Sequence, residues 1–154
     1  MTQALIRRAN PHERHTVRAV VQAVVDEIYG GLWAAPPLPV DEANWELAWV
    51  AIANGEIVGV ALTQEQWIDD LWVLREGRGR GIGRQLLETA EAEISERGHR
   101  ELRLRVLKVN ARAVEFYQRH GWQTARELFH EKLPVAVLEM VKTNSSETRV
   151  SVPC

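Results

Sequence analysis

Apolar residues recur along the chain at helical spacing in some segments and at alternate positions in others. Leu5 belongs to a short strand-like segment, and apolar residues then recur at helical spacing from Val17 to Ile28. Asn10 is typical of a helix cap, and Gly30 is typical of a helix end. The pattern predicts one strand followed by one helix that buries an apolar face.

A connection and three strands are predicted next. Residues 33–44 contain three prolines and are typical of an irregular connection, with a short helical turn as an option near residues 41–45. Strands are predicted over residues 46–53, 56–64 and 67–74. Asn54-Gly55 separates the first two strands, and this dipeptide strongly favours a two-residue hairpin.

The second half of the chain alternates helices and strands. Predicted elements are a helix from residue 85 to Gly98, a strand over 101–106, a helix from Asn110 to His120, and strands near 123–131 and 135–141. The order is β-α-β-β-β-α-β-α-β-β, which predicts an α/β (α+β) domain over residues 1–142 with a mixed sheet flanked by helices. Residues 143–154 lack periodicity and are predicted to be a disordered tail.

Composition excludes several classes of protein. The 154 residues are 45% hydrophobic and 26% charged, as in ordinary globular domains. The net charge of -2 gives no overall attraction to nucleic acid or to an anionic membrane. Cys154 cannot form an intramolecular disulfide, and no signal peptide or membrane span is visible, so we expect a cytoplasmic protein.

The segment from Arg78 to Arg84 carries the clearest chemistry. A strand leads into an Arg/Gly-rich loop and then a helix, an arrangement that can hold a pyrophosphate on backbone amides. Its glycines match neither the Walker pattern nor the dinucleotide pattern, so ATP, GTP and NAD are not expected. Taken alone, the segment could also be a plain connection or an RNA contact.

Two motifs resemble those of the GNAT superfamily of N-acetyltransferases. The acetyl-CoA loop pattern of that family, Arg/Gln-x-x-Gly-x-Gly/Ala, is matched by Arg78, Gly81 and Gly83. A second family pattern is matched by Asn110, Ala113, Tyr117, Gly121 and Trp122. With the element order, the resemblance covers roughly residues 5–141 and implies a GNAT-like, mostly antiparallel central sheet.

The resemblance implies acetyl-CoA as the acyl-donor cosubstrate. Loop amides should hold its pyrophosphate, the third strand should bind the pantetheine as an added strand where it splays from the strand over 101–106, and Asn110 should contact the CoA arm. Asn110 can equally be a plain helix cap, and both roles can coexist. The implied cofactor-binding residues are Leu71, Trp72, Val73, Arg78, Gly79, Arg80, Gly81, Ile82, Gly83, Arg84, Asn110 and Tyr117.

Tyr117, Asp69 and Asp70 are the candidate catalytic residues. In the family the tyrosine lies beside the thioester sulfur, where a phenol can protonate the leaving thiolate; a purely structural tyrosine is the alternative. An incoming ammonium must lose a proton, so Asp69 is assigned as the base, directly or through water, and Asp70 as a substrate contact. A β-bulge in this strand would exchange their faces.

The expected activity is direct acetyl transfer to a primary amine in a ternary complex. A non-catalytic acyl-CoA binding or sensing module is the alternative, and a homodimer is possible. The acceptor is expected to be a small molecule or peptide near Trp33, Trp45 and Trp49, with Glu42 and Glu46 favouring a cationic amine. No metal site is expected, because His12 and His15 have no third ligand nearby in sequence.

Overall fold

The computed structural model describes residues 4–30, 43–131 and 133–144. The strands are β1 (Leu5–Arg8), β2 (Trp49–Ala53), β3 (Glu56–Gln64), β4 (Trp67–Val73), β5 (Glu101–Leu107), β6 (Gln123–Phe129) and β7 (Ala136–Thr143). The α-helices are α1 (Arg14–Tyr29), α2 (Ile82–Glu96) and α3 (Ala111–Arg119). The predicted order of strands and helices is confirmed.

The strands form one sheet in the order β1-β2-β3-β4-β5-β7-β6. The pairs β1 with β2, β2 with β3, β5 with β7 and β6 with β7 are antiparallel. β4 runs parallel to β5, with Trp67 opposite Arg103 and Ile68 opposite Leu104. The predicted mixed and mostly antiparallel sheet is therefore confirmed.

Contacts divide the chain into two compact units. The first comprises residues up to Thr63 together with Asp70–Glu91, and the second comprises Gln64–Asp69 together with the residues from Ala92 onward. β4 and α2 each contribute residues to both units.

In the first unit, α1 and the start of α2 bury apolar side chains against strands. The buried residues of α1 are Val17, Val20, Val21, Val24, Val25 and Tyr29. β-Branched residues lower intrinsic helix propensity, so burial of this face must stabilise α1. A separate cluster joins Ile82 and Leu86 of α2 to Ala51, Val58 and Ala61.

In the second unit, alternate residues of β5 have opposite environments. Leu102, Leu104 and Val106 are buried, whereas Arg103 and Arg105 lie on the other face. Successive side chains of a strand point to opposite sides, so the predicted single covered face is confirmed. Trp122 and Met140 add to the buried part of this unit.

Several predicted boundaries are shifted: α2 begins at Ile82 instead of residue 85, β6 ends at Phe129 instead of residue 131, and two further shifts have a clear physical reason. Residues Trp45–Leu47 form a single 3-10 turn and β2 begins only at Trp49, because the amides of Leu47 and Ala48 donate locally, at 2.8 and 3.1 Å, instead of joining a ladder. At the other end, β7 includes Thr143, and the Asn144 amide donates to the Arg100 carbonyl at 2.7 Å. Thr143 and Asn144 therefore do not belong to a disordered tail. The rest of that tail, residues 145–154 with Cys154, and residues 31–42 of the predicted connection lie outside the described residues.

The described helices include none that is both long and apolar enough to cross a membrane.

Candidate functional site

The loop between β4 and α2 has the backbone of an anion cradle. A 3-10 turn, Arg75–Gly77, follows β4, and a turn over residues 78–81 leads into α2. Gly79 and Gly81 have φ angles of 79° and 78°, a region that other residues rarely adopt. A Cβ on either glycine would meet nothing within 4 Å, so the backbone conformation, and not lack of space, requires glycine.

The first turn of α2 offers amides without a side-chain cap. Gly81 accepts the first helical hydrogen bond, from the Gln85 amide at 3.0 Å, and a glycine has no side chain to cap the helix. The amides of the first helical turn have no partner within a helix, and the helix dipole adds positive charge there. Among the described residues, the amides of Gly79, Arg80 and Gly81 also have no acceptor within the chain. These donors fit a phosphate.

The Arg78 amide differs from the prediction. It donates to the Arg75 carbonyl at 3.1 Å, because the 3-10 turn ends at this residue. It is therefore engaged within the loop, and the donors that the loop presents begin at Gly79. The amides of Ile82, Gly83 and Arg84 belong to the first turn of α2, as the predicted cradle requires.

The Arg78 side chain is held by a residue that the sequence pattern did not reveal. Its Nη1 and Nη2 donate to the Glu27 carboxylate at 2.7 and 2.8 Å, and its Nε donates to the Val73 carbonyl at 3.1 Å. Arg75 donates to the same carboxylate at 3.1 Å. Hydrogen bonds from Arg78, and then from Arg75, hold the pKa of Glu27 below its ordinary value. Glu27 thus ties the loop to the end of α1, although nothing in the local pattern of α1 marks it.

Two further glycines allow α2 to lie close to the strands. A Cβ on Gly59 would lie 2.8 Å from Leu86 Cδ1 and 3.3 Å from the Trp72 carbonyl oxygen. A Cβ on Gly77 would lie 3.3 Å from Ile82 Cδ1. A glycine inside a predicted strand is a sign of close approach, and this signal at Gly59 could have been used.

The carboxyl half of β4 has two distinct faces in the first unit. Leu71 and Val73 pack against the apolar cluster that contains Ile82. Trp72 Nε1 donates to Asp70 Oδ1 at 2.9 Å, which puts these two side chains on the same face. The Trp72 ring also contacts Tyr29 edge-on, with ring centroids 6.4 Å apart. One carboxylate oxygen of Asp70 therefore accepts a structural hydrogen bond.

Asp69 has a different environment in the second unit. Among the described residues it has no hydrogen-bond or ion-pair partner. Its side chain reaches solvent, yet the surrounding protein removes enough water to raise the pKa of Asp69 above its ordinary value. A carboxylate with a raised pKa and no fixed partner is suited to accept a proton.

Asn110 and Tyr117 lie at the start and near the end of α3 in the second unit. The Ala113 amide donates to Asn110 Oδ1 at 3.2 Å, so the predicted helix cap is confirmed. Tyr117 is only 7% exposed, and its ring packs edge-on against Phe116 and Trp122, with centroids 5.4 and 6.0 Å away. Packing on two sides fixes the direction of the phenol.

The residues expected to border the acceptor have structural contacts. Trp45 is 1% exposed and belongs to the core, and Trp49 stacks against Arg8, whose Cζ lies 4.1 Å from the ring centroid. Glu46 accepts from Arg14 Nη1 at 2.6 Å. The predicted acceptor residues Trp33 and Glu42 lie outside the described residues.

Comparisons with known proteins agree on one family. Residues 18–122 match the model of the acetyltransferase (GNAT) family. A streptothricin acetyltransferase of Streptomyces lavendulae is 38% identical over 76 residues, which are 46% of this chain and 40% of that protein. The chain therefore matches less than half of that relative's length. A 5-NmdU N-acetyltransferase of Pseudomonas phage PaMx11 is 28% identical over 131 residues, 80% of this chain and 89% of that protein.

Solved structures support the same fold. An N-acetyltransferase of Thermoplasma acidophilum, solved in complex with coenzyme A, has a TM-score of 0.70 at 18% identity. The match covers 92% of this chain and 99% of that one. Because the family model spans most of the chain and includes the glycine loop and the helix of Tyr117, this protein belongs to the acetyltransferase (GNAT) family.

Proposed function

We propose that the protein transfers an acetyl group from acetyl-CoA to a primary amine, by direct transfer in a ternary complex. The observation that carries the proposal is the loop before α2, where positive φ angles at Gly79 and Gly81 lead directly into the first turn of that helix. The amides from Gly79 to Arg84 hold the CoA pyrophosphate in this proposal. The two curated relatives, both named as acetyltransferases, support the reaction class.

The strand β4 supplies further contacts to the donor. Backbone groups of Leu71, Trp72 and Val73 bind the pantetheine amides as an added strand would. A backbone amide near Leu71 polarises the thioester carbonyl. Alignment of amine and thioester supplies most of the rate, because the reacting groups no longer have to meet from solution.

Asp69 and Tyr117 handle the two proton transfers. Asp69 takes a proton from the ammonium, directly or through water, and the freed amine attacks the carbonyl. The new C–N bond forms and the C–S bond breaks, and Tyr117 gives its proton to the leaving sulfur. The nitrogen loses its second proton in the same step, and that proton passes through water to restore the Tyr117 phenol. Asp70 contacts the acceptor in this proposal. Asn110 contacts the CoA arm in addition to capping α3.

Release of free thiol over a panel of primary amines tests the proposal. Tyr117→Phe should lower kcat by about 10²-fold with nearly unchanged affinity for acetyl-CoA, because the phenol acts only as the thiolate forms. Calorimetry with acetyl-CoA measures that affinity separately. Gly81→Val should weaken it sharply, because valine disfavours the positive φ of this loop.

The pH profile separates the two carboxylates of β4. The raised pKa of Asp69 means that the wild type loses its base as pH falls through a higher range than for an ordinary carboxylate. Asp69→Asn should therefore have a lower kcat than the wild type, and the difference should become smaller at high pH, where the amine is already neutral. If kcat of Asp70→Asn shows this pH-dependent loss and kcat of Asp69→Asn does not, Asp70 is the base and Asp69 is the substrate contact. Binding of acetyl-CoA without thiol release for any amine would instead indicate a non-catalytic module.

A further inference from the structure

A buried carboxylate gathers three arginines on one face of the second unit. Glu139 of β7 is 2% exposed and accepts from Arg103, from Arg105 Nε at 3.2 Å and from Arg126 Nη2 at 3.4 Å. Burial opposes ionisation of Glu139, but Arg126 and Arg105 outweigh it and hold its pKa below the ordinary value. We call these four residues the arginine cluster.

The arginine cluster has more donors than its own carboxylate can use. Arg105 and Arg126 each donate one hydrogen bond to Glu139, and their other guanidinium N–H groups have no hydrogen-bond acceptor among the described residues. Their side chains are 54% and 59% exposed. Arg103 also pairs with Glu101, so the three guanidiniums face two carboxylates. The surface has surplus positive charge and forked donors that fit an oxyanion.

Strand pairing puts the arginine cluster on the face of Asp69. Trp67 is opposite Arg103 in the parallel ladder, and Arg105 is opposite Glu139 in the antiparallel one. Residues paired in this way point to the same side of a sheet. Arg105 Cζ also lies 5.1 Å from the Trp67 ring centroid. Asp69 follows Trp67 by two residues, so regular alternation gives both the same face.

From this juxtaposition we infer that the preferred acceptor is a primary amine that also carries a carboxylate or phosphate, with the oxyanion bound by Arg105 and Arg126. The inference rests on the proposed function, in which Asp69 receives the proton of the ammonium. Trp67 is paired with Arg103, adjacent strands lie about 4.8 Å apart, and alternate residues of a strand lie about 6.4–6.8 Å apart, so a molecule the size of an amino acid can reach from Asp69 to Arg105. An acceptor with only positive charges would be repelled by the arginines.

Matched acceptors test this inference. Ornithine is compared with putrescine, which lacks the carboxylate, and phosphoethanolamine with ethanolamine, which lacks the phosphate. In the wild type, kcat/KM should be about tenfold higher for at least one oxyanion-bearing member than for its partner, as charge-assisted hydrogen bonds allow. The two pairs distinguish a carboxylate site from a phosphate site. Equal values within both pairs would overturn the inference.

Variants connect the preference to the arginine cluster. Arg105→Gln and Arg126→Gln should each lower the preference for the oxyanion-bearing acceptor severalfold, because each removes charged donors to the oxyanion. Arg119→Gln is the matched control, since Arg119 is an exposed arginine of α3 that pairs with Glu115 at 3.6 Å. The control should keep the full preference, and circular dichroism checks that all variants fold. An equal loss in the control, or no loss in either cluster variant, would contradict the assignment.

Binding measurements distinguish this inference from the proposed function. Calorimetric titration with phosphoethanolamine and ornithine should give an affinity for at least one of them that falls in Arg105→Gln and with added salt. Such binding with no thiol release from any amine would refute the transferase proposal alone. Turnover of amines with no preference for those that carry an oxyanion, together with no such binding, would refute the oxyanion site alone.

Discussion

Substitution of Gly59 by alanine should show how closely α2 must approach the strands. The new Cβ would lie 2.8 Å from Leu86 Cδ1, whereas carbon atoms in favourable contact are about 3.5–4.0 Å apart. Leu86 would have to retreat by about 1 Å, but it is fully buried, and the Trp72 carbonyl oxygen, at 3.3 Å, limits movement on another side. Overpacking of this kind costs about 1–3 kcal/mol.

The expected loss can be measured as a melting temperature and assigned by a double-mutant cycle. For a domain of this size, Gly59→Ala should lower Tm by about 2–12 °C. Leu86→Ala alone leaves a cavity and costs about 2–5 kcal/mol. In the double variant the new methyl group enters that space, so the combined loss should be smaller than the sum by about 0.5–3 kcal/mol.

Leu87→Ala is the matched control for this cycle. Leu87 is as buried as Leu86, but the added Cβ would not meet it among its three nearest atoms. Its effect should add to that of Gly59→Ala within about 0.5 kcal/mol. The argument that the missing side chain of Gly59 lets α2 lie close to the strands would be refuted by either of two results. One is an equal coupling free energy of Gly59→Ala with Leu86→Ala and with Leu87→Ala, and the other is an unchanged Tm in Gly59→Ala.

Three other predictions follow from contacts in the structure. Glu27→Gln should raise the KM for acetyl-CoA about threefold with a smaller effect on kcat, because the loop arginines lose their shared carboxylate. The control is Glu88→Gln, which breaks the exposed ion pair with Arg84 in α2 and should leave this KM unchanged. Hydrogen bonds from Arg7 and from the Asn10 amide lower the pKa of Glu13 to about 2. Its stabilising contribution is therefore complete above its ordinary value of 4.5 and is lost as pH falls toward 2, so the acid slope of Tm should be shallower in Glu13→Gln. Truncation after Asn144 should preserve the Tm of the full chain, whereas truncation after Lys142 should lower it, because only the shorter chain loses the backbone hydrogen bond to residue 100.

Local features were predictable because neighbouring residues decide them. Asn54 and Gly55 have φ angles of 52° and 78°, as the hairpin dipeptide requires. The cap at Asn110 and the alternation along β5 also follow from residues close in sequence. The positive φ angles at Gly79 and Gly81 follow from the loop motif for the same reason, since backbone conformation at glycines is a local property. The start of β2 was not predictable in this way, because a local 3-10 turn competes there with the ladder.

Contacts between distant residues were decided only by the tertiary structure. Glu27 and Arg78 are 51 positions apart, and Arg105 and Glu139 are 34 apart, so no local period connects either pair. In the sequence Glu139 is one carboxylate within a predicted strand, and only the pairing of β7 with β5 and β6 surrounds it with arginines. Sequence alone determined the family, the order of elements and the glycine backbone of the loop before α2. The partners of each charged side chain depended on strand register and helix packing, because electrostatic and packing energies act through space and not along the chain.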